Sequence, residues 1–373
     1  MFEGLFVPRE LAERLSDEAC VERMVDVERA LSRAEARAGV IPEAEAIHID
    51  LDVDRLVAEG RAAGNPVEPL VRALHAQAES AHLGATSQDI IDTALVLVAR
   101  DAFDVFELDG LAAACARLAD EHRNTVIAAR TLLQQAVPTT FGLKAAGWLV
   151  AILQAGSLVT SCCKELAAEL GGAAGTLAAL GDRGPEVLRL FAEELSLPEP
   201  VVPWHTNRVR FAQLGSALAI LAGICAKIGL DVQLLSQTEI AEVREAVGGA
   251  SSTMPHKRNP VGSTRARACA RHAQAAASVL FGSLEQEHER AAGAWHAEWK
   301  ALRDALAYSG GAVAAAREVL DGLEVDPQRM RANIADDTLS EARRLGVEAQ
   351  SPEDYLGSAT AFVDRALELY RAS

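Results

Sequence analysis

The sequence predicts an all-α protein built around a central bundle of five long helices. Hydrophobic residues make up 50% of the 373-residue chain but aromatic residues only 4%, and runs rich in Val, Ile, Thr and Tyr, which strands favour, are few. Apolar residues instead recur at steps of three and four over long stretches. A chain of this length can bury a large core, so we expect long helices packed closely through small residues.

The sequence pattern of residues 1–87 predicts a small N-terminal helical domain. Apolar residues keep helical spacing from Asp17 to Gly39, where the glycine ends the pattern. Shorter helices follow and are broken near Gly60 and Gly64.

The apolar periodicity of residues 88–325 predicts that this central part contains the five long helices. The clearest periodicity runs from Phe211 to Leu235 and is typical of a bundle seam. In chain order the expected helices are about Gln88–Glu121, one opened by Pro138, Phe211–Leu235, one opened by Pro260 after an Asn259 N-cap, and about Trp295–Leu323. Residues 326–373 leave room for short helices only, so we expect a shortened C-terminal helical region.

Charge and cysteine content exclude several classes of function. The chain has 36 basic and 53 acidic residues, a net charge of −17, which disfavours nucleic-acid and membrane-surface partners. Its start lacks a signal-peptide pattern, and we see no uninterrupted apolar run long enough to cross a bilayer. The six cysteines lack metal-ligand spacing. We expect a cytoplasmic protein with reduced, mostly buried thiols, no metal site and no cofactor.

The most informative stretch runs from Gly248 to Pro260, with the sequence GGASSTMPHKRNP. Two glycines and three small hydroxyl residues predict a mobile loop that can present side-chain oxygens. Lys257 and Arg258 beside a helix start predict attraction for anions. The loop therefore combines a hinge, hydroxyl groups and an anion receptor, although an ordinary surface loop could share this composition.

This loop resembles the signature of the fumarase/aspartase superfamily, whose members make and break bonds beta to a carboxylate. Two further stretches resemble the superfamily's other blocks: HLGATSQD at 82–89, the first block, and ARTLLQQAVPTTFG at 129–142, the third block. By this resemblance Ser251 is the proton-transfer group and His82 the second choice. The expected substrate ligands are Thr86, Ser87, Thr131, Gln134, Lys257 and Asn259, with His205 and Arg208 as weaker candidates.

One departure from the superfamily pattern bears on the chemistry. Many relatives carry a histidine in the third block, paired with a glutamate after the signature loop, whereas this chain has Leu132 and Thr264. Neither residue can relay a proton in the way of a histidine and glutamate pair. Because both partners are absent together, we expect a different arrangement for proton transfer. The glycine-rich turn at 171–175 is expected to let backbone pass close to the site or to a neighbouring chain.

Within the superfamily the chain most resembles the 3-carboxy-cis,cis-muconate cycloisomerases of aromatic (protocatechuate) catabolism. The resemblance implies a small polyanionic carboxylate substrate, reversible intramolecular addition of a carboxylate to a double bond, and a homotetramer whose sites are shared between subunits. An adenylosuccinate-type lyase shares the signature loop but should keep the histidine absent at Leu132. An inactive helical assembly protein of the same fold is the other alternative.

Overall fold

The computed structural model describes residues 3–246, 249–250, 254 and 257–373, and it confirms the all-α prediction. The helices are α1 (Arg9–Arg14), α2 (Asp17–Arg37), α3 (Val53–Ala63), α4 (Val67–Leu74), α5 (Ser87–Phe103), α6 (Leu108–Glu121), α7 (Phe141–Lys164), α8 (Gly184–Glu194), α9 (Val209–Leu235), α10 (Val261–Gly282), α11 (Ala294–Asp321), α12 (Pro327–Ala332), α13 (Ser340–Leu345) and α14 (Ala359–Ala372). Short strands form antiparallel pairs: β1 (Val126–Thr131) with β2 (Gln134–Thr140), β3 (Val243–Glu245) with β6 (Leu323–Val325), and β4 (Gly249–Ala250) with β5 (Arg258–Asn259).

The five long helices α5, α7, α9, α10 and α11 carry the core. Helices α9, α10 and α11 pack on one another, α7 packs on α9, and α5 packs on α11 and α2. The predicted seam of α9 is confirmed, because these residues are all buried: Phe211, Leu214, Leu218, Leu221, Cys225, Ile228, Val232 and Leu235. The domain limits near residues 87 and 325 stay a prediction.

The predicted helix from Gln88 to Glu121 is in fact two helices, α5 and α6. The chain turns at residues 104–107, where no glycine or proline marks a break in the sequence. The rings of Phe103 and Phe106 pack across this turn with centroids 5.3 Å apart. Apolar contacts therefore hold a turn that helical periodicity alone does not reveal.

Pro138 does not open a helix, as predicted, but lies in strand β2. Strands β1 and β2 form a hairpin with a bulge between Ala128 and Arg130, and Ala128 lies opposite Pro138. Proline is tolerated there because a two-stranded hairpin leaves one edge of each strand unpaired. Helix α7 begins three residues later, with the side chain of Thr140 accepting from the Leu143 N–H at 3.1 Å.

The start of α10 is capped by a distant glutamate, so the prediction that Asn259 caps it is wrong. The buried Glu245 carboxylate accepts from the backbone N–H groups of Gly262 and Ser263, both at 2.9 Å, and from the Ser263 hydroxyl at 2.6 Å. Asn259 instead donates its amide to the Gly249 carbonyl at 3.3 Å. This helix terminus is already occupied by a protein anion and is not a free anion receptor.

Replacement of Glu245 by alanine should destabilise the fold. The same change at exposed Glu324, which lies opposite Arg244 in the same strand pair, should not. The alanine variant leaves buried N–H groups at the α10 terminus without a partner, which we expect to cost about 2–3 kcal/mol. Urea unfolding at fixed protein concentration measures the difference. Equal stability of the Glu245→Ala and Glu324→Ala variants would refute this capping role.

Helices α7 and α9 are long and apolar enough to cross a membrane by length and composition alone. Gln154 interrupts α7 and Lys227 interrupts α9, so neither is the uninterrupted apolar run that the sequence was expected to lack. Both pack within the bundle, and part of each remains exposed, including Leu158 and Ile220. All six cysteines are free thiols, four of them buried, as predicted. The apolar faces of α7 and α9 are surfaces for further packing.

Candidate active site

Thr86 and Ser87 lie at the start of α5, half-exposed, where Asp89 holds the backbone in place. The Asp89 carboxylate accepts from the Thr86 N–H at 2.8 Å and from the N–H groups of Gly171 and Gly172 at 2.8 and 3.0 Å. Gly172 has φ +68°, and a Cβ there would lie 2.7 Å from the Gly84 carbonyl oxygen. The glycine-rich turn therefore passes against the first block, as the sequence predicts.

Asp89 also anchors a buried cluster with His205 and Glu169. The His205 Nε2 atom lies 2.6 Å from Asp89 Oδ1 and 3.4 Å from Glu169 Oε1. Glu169 accepts from the Trp204 N–H. Burial, reinforced by the negative charge of Asp89, raises the pKa of Glu169 well above its usual value. The cluster supports the Thr86 turn from beneath.

Asp89, Glu169 and His205 offer potential metal-ligand atoms within 4.8 Å of one another. Both oxygens of Asp89, however, already accept two hydrogen bonds each, one of them from His205. A ligand oxygen surrounded by N–H donors does not suit a cation. We therefore interpret this cluster as a hydrogen-bond network.

Arg208 lies at the start of α9 and is fully buried. Its guanidinium donates to Asp92 at 2.7 and 2.9 Å and to Glu298 at 2.6 and 2.9 Å. Burial raises the pKa of Glu298 to about 7. The guanidinium of Arg208 is thus engaged by two carboxylates, and His205 Nε2 is engaged by Asp89. That either residue also contacts substrate stays a prediction. Both position the first block.

Arg290 is an exposed cation beside the first block that the sequence analysis missed. Its guanidinium donates to the Gln88 side chain at 3.2 Å and to the Ala173 carbonyl at 3.3 Å. No ion pair joins it to a carboxylate of the described residues. The sequence places it in a charged run at 285–290 that favours a solvated turn. The contact of Arg290 with the glycine-rich turn is visible only in the folded structure.

His82 belongs to the first block and forms a pair with buried Glu28 of α2. The His82 Nδ1 atom lies 2.7 Å from Glu28 Oε1, with the Glu28 side chain fully buried and 16% of the His82 side chain exposed. Glu35, two turns along α2, is also fully buried. Burial and the neighbouring Glu28 raise the pKa of Glu35 to about 8. Glu28 was not among the predicted residues, although both glutamates fall on the apolar stripe of α2.

The raised pKa of Glu35 predicts a pH dependence of stability. Because the folded-state value lies above the ordinary 4.5, this contribution is fully present below pH 4.5 and is lost as the pH rises through about 8. Glu35→Gln keeps the shape of the neutral acid. We expect it to be more stable than the wild type at pH 8.5, by on the order of 1–3 kcal/mol, with a smaller difference at pH 5.5. Urea unfolding at both values measures this, and an unchanged difference would contradict it.

The described end of the signature loop, at Arg258 and Asn259, lies beside strand β3 and the start of α10. Lys257 is exposed, and no described carboxylate forms an ion pair with it. A surface cavity of about 790 Å³ opens beside Arg258 and Asn259 and is lined also by Arg244 and Glu324. Ser251 lies outside the described residues. The predicted ligands Lys257 and Asn259 are therefore accessible in this chain.

The third block forms the tip of the β1–β2 hairpin. Thr131 and Gln134 are exposed and pair across the turn. Between them Leu132 and Leu133 have φ +51° and +65° and are 96% and 73% exposed. Left-handed backbone costs a leucine roughly 1–2 kcal/mol, and two exposed leucines are unfavourable in water. Such a tip suits insertion against another surface.

Within one chain the blocks lie at opposite ends of the bundle. Arg208, just before α9, contacts α5 through Asp92 beside the first block. Glu242, just after α9, holds the hairpin through Arg130, at 2.7 and 3.0 Å. Helix α9 has 27 residues, so it separates these ends by roughly 40 Å. One chain alone does not bring Thr86 together with Thr131 or Lys257.

Comparison with known proteins places the chain in a family. A family model described as "Lyase" matches residues 9–275. The chain belongs to this lyase family, the fumarase/aspartase superfamily. Two curated lyase-family relatives are a 3-carboxy-cis,cis-muconate cycloisomerase of Bradyrhizobium diazoefficiens, 47% identical over 85% of this chain and 75% of the relative, and a nitrosuccinate lyase of Streptomyces davaonensis, 45% identical over 86% and 73%.

A solved structure of the lyase family has the same fold. The 3-carboxy-cis,cis-muconate lactonizing enzyme from Pseudomonas putida matches with a TM-score of 0.90 and 36% identity, covering 100% of this chain and 99% of that chain. The helical architecture predicted from the sequence is therefore that of the lyase family.

Proposed function

We propose that this protein is a cycloisomerase that interconverts 3-carboxy-cis,cis-muconate and a carboxymuconolactone. The observation that carries the proposal is the group of relatives with this activity in their names, at 39–47% identity. The chain is consistent with a soluble metabolic enzyme, and we place it in the cytoplasm. The reaction needs no metal or organic cofactor.

The reaction sets three demands on the protein. A carboxylate of the trianionic substrate attacks a double bond, and a proton adds at the carbon alpha to another carboxylate. The site must hold three negative charges, stabilise the dianionic aci-carboxylate intermediate and exchange one proton. Lys257 and Arg290, both exposed and without a described carboxylate partner, supply the positive charge. The half-exposed hydroxyls of Thr86 and Ser87 supply hydrogen bonds.

Ser251 is proposed as the group that exchanges the proton with the substrate carbon, and His82 as the second group of the same proton path. Thr131, Gln134 and Asn259 are proposed as further polar ligands. Thr264 does not restore the missing glutamate, because its hydroxyl donates to the Pro260 carbonyl at 2.8 Å and accepts from Gln233 at 3.0 Å.

The active sites are proposed to form between subunits of a homotetramer. The roughly 40 Å between the ends of α9 separates the first block from the other two in one chain. The strained hairpin tip at Leu132 and Leu133 and the exposed apolar faces of α7 and α9 supply surfaces that assembly would cover. Light scattering should report four chains, and a fully active monomer would refute the assembly.

The activity is tested with three substrates in parallel. Incubation with 3-carboxymuconate should change its ultraviolet absorbance and give a lactone that NMR identifies, whereas adenylosuccinate should stay intact. Nitrosuccinate is included because a nitrosuccinate lyase is 45% identical to this chain. Cleavage of nitrosuccinate or adenylosuccinate without turnover of 3-carboxymuconate would replace the proposed function with a lyase activity.

A further inference from the structure

The pair of Glu28 and His82 has the form of a proton-transfer unit. A carboxylate oxygen can only accept, so the His82 Nδ1 atom, 2.7 Å from Glu28 Oε1, carries the hydrogen of the neutral ring. The lone pair of the neutral ring then lies on Nε2, and 16% of the His82 side chain is exposed. Glu28 thereby fixes which nitrogen can take a proton.

Glu28 is buried and has few hydrogen-bond partners besides His82. The side chain is fully buried, and among the described residues His82 is the hydrogen-bond partner of Oε1 while Oε2 has none. A buried carboxylate with so few partners is costly. If position 28 were needed only for packing, an apolar side chain on this face of α2 would be more stable there.

The backbone of His82 adds an independent observation. His82 has φ +64°, in the left-handed region, although it is not a glycine. Histidine tolerates this region better than most residues, but strained conformations of this kind gather at functional sites. The residue follows buried Ala81 and lies four positions before Thr86 of the first block. Its carbonyl accepts from the Ala85 N–H at 3.4 Å, which keeps residue 82 close to the Thr86 turn.

We propose that His82 and Glu28 form the proton-transfer pair of this enzyme, in place of the histidine and glutamate absent at Leu132 and Thr264, with Glu28 as the positioning residue. This inference rests on the proposed function. His82, in the turn before α5, holds the proton in each turnover, and Glu28 on helix α2 controls its position.

In the lactone-opening direction the enzyme removes a proton from the carbon beside a carboxylate. The C–H bond beside the carboxylate breaks, and its electron pair moves into that carboxylate to give the aci-carboxylate. That pair then re-forms a double bond as the lactone C–O bond breaks, leaving its electrons on the released carboxylate. The substrate proton passes to the Ser251 oxygen as the Ser251 hydroxyl proton moves to His82 Nε2, and Glu28 faces the resulting imidazolium. Lactone formation runs the same steps backwards.

The test compares Glu28→Gln with Glu35→Gln as a matched control. Both positions are fully buried on α2, and the chemical change is the same, but Glu35 has no hydrogen bond to a histidine among the described residues. Glu28→Gln should lower kcat roughly 10- to 1000-fold and leave KM within about threefold. Glu35→Gln should keep the kcat of the wild type. Turnover is measured on whichever of the three substrates the wild type converts.

A double-variant cycle separates a working pair from a structural contact. His82→Asn keeps a residue that tolerates positive φ. If the pair acts as a unit, the double variant Glu28→Gln/His82→Asn should lose no more kcat than His82→Asn alone. Circular dichroism and subunit number establish that each variant is folded, and Glu28→Asp provides a second charged variant, expected to recover part of the kcat lost in Glu28→Gln.

Three results would overturn the inference. They are a kcat for folded Glu28→Gln near that of the wild type, an equal loss in Glu35→Gln, or additive losses in the double variant. Each is distinct from failure of the proposed function, which shows in the wild type as no turnover of 3-carboxymuconate. Wild-type turnover of another substrate with the predicted Glu28 effect would keep the pair and change only the substrate.

Discussion

Ser251→Ala is expected to lower kcat by roughly a hundredfold to ten-thousandfold, the usual span for a positioned acid or base, with substrate binding largely retained. The expectation follows from the lyase family's signature loop, because the first serine of that loop holds the proton-transfer role. A serine hydroxyl needs a stabilised alkoxide to act as a base, and Lys257 is the nearby cation in the sequence.

Exchange of the substrate hydrogen with solvent tests the Ser251 prediction most directly. Wild-type enzyme should exchange the lactone hydrogen beside the carboxylate with solvent, as followed by NMR, and Ser251→Ala should lose this exchange. Ser252→Ala, the neighbouring residue in the loop, is the matched control. Exchange retained in Ser251→Ala but lost in His82→Asn would make histidine the only proton carrier and reduce the serine to a carboxylate ligand.

Lys257→Ala is expected to lose roughly tenfold to a hundredfold in kcat/KM. Removing one charge-assisted contact to a carboxylate typically costs about 1.5–3 kcal/mol, which corresponds to that range. Lys257 is exposed and forms no ion pair with a described carboxylate, so its charge is available to the substrate.

The control for Lys257 is Lys300→Ala, because Lys300 is an exposed lysine on α11 that pairs with Asp304 at 2.7 Å. It should keep the wild-type kcat/KM. A Lys257→Ala variant with unchanged kcat/KM would exclude this lysine from the site. An equal loss in both variants would point to a general effect of charge and not to a specific contact.

Long-range periodicity made the bundle predictable from the sequence. The stripe from Phe211 to Leu235 steps by three and four over the length of α9, and every seam position named above is buried. The hairpin was not predictable in the same way. Its two-residue turn carries Leu132 and Leu133 at positive φ, where Asn and Gly are the usual signal.

The site was predictable only as separate blocks. Short sequence patterns located the Thr86 turn and the signature loop, but they contain no information on partners far away in the chain. Glu28 lies 54 residues from His82, and Arg290 lies 202 residues from Gln88. Contacts of this kind depend on how the chain folds, so the positions of Glu28 and Arg290 beside the first block appear only in the folded chain.

The claim that one active site takes its blocks from different chains is tested most directly by mixing inactive variants. His82→Asn disables the first block and Ser251→Ala disables the signature loop. The described residues of that loop lie at the opposite end of one chain from the first block. After verified exchange of subunits at equal amounts, roughly a quarter of the sites should be intact, because each block is intact in half of the chains. Mixing Ser251→Ala with Lys257→Ala should recover no more than the activity of its separate components, since both changes lie in the same block. Recovery near a quarter of wild-type activity in the first mixture is the predicted result, and no recovery after verified exchange would contradict shared sites.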